Sequence, residues 1–221
     1  VLAGFGGKLM NDDYSKFTLD TDATRKALHF MQDCLYVEKL FPTTVLDPTH
    51  KSTDSYAAGK AAIVLGNGPG FLQELENNAP QIAAVTASAV MPSETGEGAS
   101  SIAFAAPVCV FGSTKHPEAS KEWLKFFCNT QNQITAMKDL ALVSVWKDVM
   151  ADANFSTDWF KAVLEQNTRA VPGDMPLPAW SQIDAFPNGP MNTMCTSVMA
   201  GADVDTAIAD CVTAINDIMA G

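Results

Sequence analysis

The chain has 221 residues, 47% of them hydrophobic, enough for one large domain or two small ones with proper cores. With 14 Lys and Arg against 25 Asp and Glu, its formal charge is −11 at pH 7. That balance repels phosphate backbones and anionic headgroups and argues against nucleic acid as a partner. No apolar run approaches the ~20 residues of a membrane-spanning helix. Cys34, Cys109, Cys128, Cys195 and Cys211 form no CxxC pair and only three histidines are present, so zinc or iron–sulfur ligation has no supporting spacing. The opening Val1-Leu2-Ala3-Gly4 has neither an initiator Met nor a basic segment, and the expectation is a chain that is mature or cut from something longer.

Residues 4–17, rich in Gly and Asp, read as loop and turn. Asp20-Thr21-Asp22 offers N-cap candidates. After it Ala27, Leu28, Met31, Cys34 and Leu35 recur at helical spacing, which predicts an amphipathic helix over 22–39, closed off by Pro42. Residues 52–59 read as a short helix ending on Gly59. The apolar run 61–65 reads as a buried strand, stopped by Gly66-Asn67-Gly68-Pro69-Gly70. A helix follows over 71–77 and a strand over 82–90. Residues 92–101 contain no large apolar side chain and form the best linker or hinge candidate.

Residues 104–111 are a second apolar run of strand length. Pro117 suits the first position of a helix, because its missing N–H is not needed there; Ala119, Trp123, Phe126 and Phe127 are its expected buried face. Another helix is predicted over 131–139, a short apolar connection over 141–150 and a helix over 156–167. Pro172, Pro176, Pro178, Pro187 and Pro190 forbid a regular helix through 171–190. Helices over 190–200 and 204–219 close the chain, with Gly201 as stop and Asp203 as cap. Strands alternate with helices first and helices dominate last, the pattern of an α/β protein.

Three stretches carry a family resemblance. Ser55-Tyr56-Ala57-Ala58-Gly59-Lys60-Ala61-Ala62-Ile63-Val64, running into Gly66-Asn67-Gly68-Pro69, resembles an F-x-x-G-K-A-A-M segment followed by a ligand-facing glycine-rich loop. The stretch from Ser113 to Phe127 is similar to S-x-K-H-P-E-A-A-W-x-F-L-x-F-L. The ending from Gly201 to Met219 resembles G-x-x-x-x-x-A-L-x-x-A-x-x-x-I-N. All three are features of bacterial extracellular solute-binding proteins of family 1, the substrate-binding proteins of sugar ABC transporters, and the chain resembles their C-terminal portion. One departure is local: where the family often shows Gly-x-Trp, this chain has Pro69-Gly70-Phe71.

The resemblance implies a periplasmic-binding-protein-like α/β fold of two lobes, with the N-terminal part absent. Residues 1–98 would begin the second lobe, 99–148 would contribute to the first, and 149–221 would return to the second. The segment 99–148 is then expected to form a strand and helices whose sheet partners lie mostly outside the chain. The implied function is the capture of a sugar or oligosaccharide in an interlobe cleft and its delivery to the permease subunits of an importer. The implied partners are a carbohydrate ligand, those permease subunits and the missing N-terminal lobe, with no cofactor and no nucleic acid. The implied location is extracytoplasmic, periplasmic or lipid-anchored at the cell surface.

A sugar site needs flat aromatic faces against the ring's C–H faces and amides, carboxylates or backbone groups for its hydroxyls. Asn67, Gly68 and Phe71 offer such groups on one loop, or a plain strand-to-helix turn. Glu97, Gly98 and Ser100 lie in the hinge candidate. Trp180 sits among prolines as either a stacking platform or a packing anchor. Trp123 and Trp159, at helical spacing, read as core, while Trp146 is open. Glu94 and Glu97 lack the scaffold that would hold two carboxylates at a glycosidase separation. Gly59-Lys60-Ala61 lacks the glycines and Ser/Thr of a phosphate loop, and Asn154-Phe155-Ser156 is only a short sequon match. No catalytic or metal residue is assigned, and the alternatives are a binding protein for a peptide or polyamine and a carbohydrate-active enzyme. Cys195 and Cys211 flank the last turn, and their Cα atoms are expected at ~6 Å, within disulfide reach.

Overall fold

The computed structural model describes residues 1–47, 49–96, 101–104 and 107–220. In chain order its elements are α1 (Asp22–Tyr36), α2 (Ser52–Ala57), α3 (Gly70–Asn78), α4 (Pro80–Ala83), β1 (Ser101–Ala103), α5 (Pro117–Phe127) and α6 (Thr130–Asp139). They continue with α7 (Lys147–Met150), α8 (Asp158–Thr168), β2 (Ala170–Pro172), α9 (Trp180–Ile183), α10 (Pro190–Met199) and α11 (Val204–Ala220). The chain divides into two compact units. One comprises Val1–Ser52, Met91–Ala103 and Arg169–Gly221, the other Thr53–Val90 and Phe104–Thr168.

The first unit is built on α1, α10 and α11. The Thr21 hydroxyl caps α1 by accepting from the Thr24 N–H at 3.3 Å, which satisfies one of the donors a helix start leaves orphaned. The helix ends at Tyr36, short of the expected 39, because the N–H groups of Val37 and Glu38 both fold back to the Asp33 carbonyl and Lys39 takes a left-handed φ of 53°. Between α10 and α11, Gly201 sits at φ 98°, a conformation that an L side chain strains to reach. Asp203 caps α11, accepting from the Thr206 N–H at 2.9 Å. The apolar stripe of α11, Val204, Ala207, Ile208, Cys211 and Ile215, packs on Leu28 of α1, Ile183 of α9 and Met194 and Val198 of α10. Gln32 of α1 donates from Nε2 to the Val198 and Ala202 carbonyls, both at 2.9 Å, and the Tyr36 hydroxyl donates to the Met199 carbonyl at 2.7 Å. These bonds tie α1 to the end of α10 and to the turn that follows it.

β1 and β2 pair in parallel, Ser101 opposite Ala170 and Ala103 opposite Pro172. Residues 94–96 are held to the same unit: Lys26 pairs with Glu94 at 2.6 Å, the Glu94 N–H donates to the Gly4 carbonyl, and Arg169 Nη1 donates to the Gly96 carbonyl at 3.0 Å.

The second unit has a smaller core of Phe71, Leu75 and Ala79 from α3 and its end, with Tyr56, Val64, Ile82 and Trp159 packed against it. Asn129 caps α6 by accepting from the Asn132 N–H at 2.9 Å, and the buried Gln133 donates to the Phe127 carbonyl at 3.0 Å.

Several expectations are corrected. Residues 61–65 form no strand, and Ile63 is 76% exposed. Residues 82–90 form no strand either: Pro80 opens a helical turn through Ala83 and the rest is irregular. In the run 104–111 the described residues form no strand, and Phe111 is 84% exposed. Apolar β-branched residues become a strand only where neighbouring backbone accepts and donates their hydrogen bonds, and the described residues supply no such neighbour. Among the described residues the one strand between 99 and 148 is β1, and its partner β2 lies within the chain rather than outside it. On α5, Ala119, Trp123 and Phe126 are exposed, not buried, although Trp123 stacks on Phe127 with centroids 5.3 Å apart. All five cysteines are free thiols, so Cys195 and Cys211 are not bridged.

Candidate functional site

The loop before α3 is turned by Gly66 at φ 75°. Asn67 is half-buried and donates from Nδ2 to the Leu65 carbonyl at 3.2 Å, which fixes its amide beside the exposed Gly68. Open space surrounds the Gly68 Cα, where an added Cβ would meet nothing within 4 Å. The Phe71 N–H returns to the Gly68 carbonyl at 3.1 Å and starts α3. The Phe71 ring is 6% exposed and lies edge-on to Tyr56, with centroids 5.7 Å apart. Its aromatic surface is therefore occupied by the core of the second unit, and the loop presents an amide and bare backbone.

Trp180 opens α9 in the first unit. Its backbone N–H donates to the Leu177 carbonyl at 3.0 Å, and its own carbonyl accepts from the Asp184 N–H at 2.9 Å. The ring is half-buried, packed on the core that holds the fully buried Ile183, while its remaining surface meets solvent. Nε1 donates to Asp174 Oδ1 at 3.2 Å. Gly189 closes the loop after α9 so tightly that a Cβ there would lie 2.6 Å from the Ala185 nitrogen. Burial, and then the charge of Asp174, push the Asp184 carboxyl above its ordinary range. One carboxylate, Asp174, thus meets the Trp180 ring. Sequence reading missed it, since Asp174 and Trp180 lie six residues apart in an irregular loop, a spacing that signals nothing.

Glu97, Gly98 and Ser100 lie outside the described residues. Asn67, Gly68 and Phe71 share one loop of the second unit, and Trp180 belongs to the first unit. Trp159 is half-buried against the Phe71 core, with its Nε1 buried and unpartnered among the described residues. Trp146 is 53% exposed. Among the described residues, no group of three or more His, Cys, Asp or Glu is placed to hold a metal, and no helix is long and apolar enough to cross a membrane.

Residues 2–162 match the model of a family described as bacterial extracellular solute-binding protein. No curated protein matches the chain. Among solved structures, it is similar to an ABC transporter solute-binding protein from Thermotoga lettingae bound with α-D-tagatose. That match has a TM-score of 0.77 and 22% identity, covering 99% of this chain and 54% of that one. It is also similar to the sugar-binding protein MalE of Xanthomonas citri, with a TM-score of 0.79, 17% identity and coverage of 100% and 56%. A third is the maltose-binding MalE of Listeria monocytogenes in complex with maltose, with a TM-score of 0.74, 21% identity and coverage of 99% and 56%. The chain therefore spans about half the length of the structures it matches, which share its fold.

Proposed function

Because the chain belongs to the bacterial extracellular solute-binding protein family and takes the α/β fold of periplasmic binding proteins, we propose that it is the C-terminal portion of the substrate-binding component of a sugar importer. It captures a sugar or oligosaccharide in an interlobe cleft and presents it to the permease subunits of an ABC transporter. It binds and does not catalyse, at an extracytoplasmic location, periplasmic or lipid-anchored. The observation that carries this reading beyond the family is Trp180: an aromatic ring packed on a core and still partly exposed suits stacking on a sugar ring. Asn67 and Gly68 add an amide and an approachable backbone for hydroxyls, with Phe71 anchoring their loop. Glu97, Gly98 and Ser100 complete the proposed contacts.

In this reading 1–98 and 149–221 belong to the second lobe and 99–148 to the first, completed by an N-terminal lobe of the longer protein. Support comes from the apolar side chains that the second unit leaves open: Phe104 at 64% exposure, Phe126 at 65% and Val145 at 89%. Large apolar side chains exposed to this degree suit a face that another element covers.

A thermal-shift panel on the native protein tests the ligand class, since a ligand stabilises by RT ln(1 + [L]/Kd). Maltose, maltotriose or D-tagatose should raise Tm, and product analysis of the same mixtures should find the saccharides intact. A second reading, a cationic solute such as a polyamine, is favoured by one observation: the Asp174 carboxylate lies 3.2 Å from the Trp180 Nε1, so a cation there would meet a negative charge and an aromatic ring together. A shift with spermidine and none with the saccharides would select it.

A further inference from the structure

We infer that Asp174 is the positioning residue for Trp180: its carboxylate, 3.2 Å from the indole Nε1, sets the angle at which the exposed part of the ring meets a bound sugar. This rests on the proposed sugar-binding role of Trp180. The Nε1–H is the only polar group of the ring. The second side-chain torsion of a tryptophan is broad, so packing on one edge alone leaves the plane free to tilt. An acceptor at Nε1 removes that freedom. Asp174 is itself well held for the task. On one side the Gly173 N–H donates to the Ala103 carbonyl at 2.9 Å, continuing the β1–β2 ladder. On the other, Met175 is buried at 8% exposure and accepts from the Leu177 N–H at 2.8 Å. The carboxylate thus projects from a stretch tied down at both neighbours, whereas the ring it meets begins a helix of one turn.

Burial, and then the charge of Asp174, push the Asp184 carboxyl upward, so the Asp174 charge is not there to favour Asp184. Asp174 is exposed and outside the apolar core, so its gain lies in the fixed indole and not in packing.

The test compares Asp174→Ala, which removes the acceptor, with Asp174→Asn, which keeps a side-chain carbonyl at the same place. The native full-length protein is labelled with 15N, and the indole signal of Trp180 is assigned by its loss in Trp180→Phe. Binding of maltose, maltotriose and D-tagatose is titrated calorimetrically, with Tm measured alongside. Asp174→Ala should move the Trp180 indole signal and speed its hydrogen exchange. It should weaken saccharide binding about threefold to tenfold, the worth of one hydrogen bond, with Tm within a degree or two of wild type. Asp174→Asn should restore both the signal and the affinity. An unmoved indole signal in Asp174→Ala overturns the inference, and so does a moved signal with unchanged affinity. If the wild type binds none of the three saccharides, the sugar reading itself fails and this role goes with it. Binding by the wild type and equal binding by Asp174→Ala leaves the sugar reading intact and refutes only the positioning role.

Discussion

Trp180 and Ile183 stand three residues apart on the single turn of α9, and their environments separate binding from packing. Ile183 is 0% exposed in the core between α1, α10 and α11. Ile183→Ala deletes three buried carbons, a transfer loss of roughly 2.4 kcal/mol at ~0.8 kcal/mol per methylene. The cavity left behind brings the expected cost to about 3–4 kcal/mol, because neighbours from several elements cannot collapse into it together. Trp180 is only half-buried, so truncating it returns on the order of 100 Å² of packed surface to water, about 2.5 kcal/mol at 25 cal/mol per Å². Stability alone therefore does not distinguish the two roles of Trp180. Affinity per folded molecule does. Trp180→Ala should lose about 1–3 kcal/mol of saccharide binding, by analogy with alanine losses at stacking platforms for bases. Ile183→Ala should lose none once the folded fraction is corrected for. The assay is urea unfolding of each variant, followed by calorimetric titration at a urea-free concentration where each is folded. If Trp180→Ala binds as tightly as wild type per folded molecule, Trp180 is a packing anchor and the site assignment fails.

Four other outcomes are expected. Gln32→Ala removes the hydrogen bonds to Val198 of α10 and to Ala202 in the turn after it, and should cost about 1–2 kcal/mol in urea unfolding; a change within error would show those bonds to be idle. Burial, and secondarily Cys195, push the Cys211 thiol from an ordinary 9.0 up to about 11, so the unfolded chain ionises first as pH rises. The stability linked to Cys211 is fully present below pH 9 and is lost between about 9 and 11, on the order of 2 kcal/mol; Cys211→Ala should flatten that slope, and an unchanged slope refutes it. In thiol labelling of the native protein at pH 8, the exposed Cys109 should react before the buried Cys34 and Cys211. Phe111→Ser should alter the stability of this 221-residue chain by less than about 0.5 kcal/mol. In a longer chain bearing the proposed first lobe it should cost about 2 kcal/mol or more, and equal effects in the two would remove the proposed covering of that face.

What the sequence by itself determined is local. The helices over 22–36, 117–127, 130–139, 158–168, 190–199 and 204–220 are legible because spacing, a capping Thr, Asn or Asp, an N1 proline and a left-handed glycine act within one or two turns of the residues they organise. The family likeness is legible for the same reason, since its motifs are contiguous. Only the tertiary structure decided which apolar runs find partners. Residues 61–65 and 104–111 have the composition of strands, but a strand needs a neighbour's backbone, and composition is silent about neighbours. The same holds at the site. Phe71 and Trp180 look equally fit to stack on a sugar when read along the chain. Three-dimensional packing buries the first against Tyr56 and leaves the second half open, held by a carboxylate six residues away. Burial and long-range pairing depend on what lies across from a residue, and a linear sequence specifies that only through the fold it encodes.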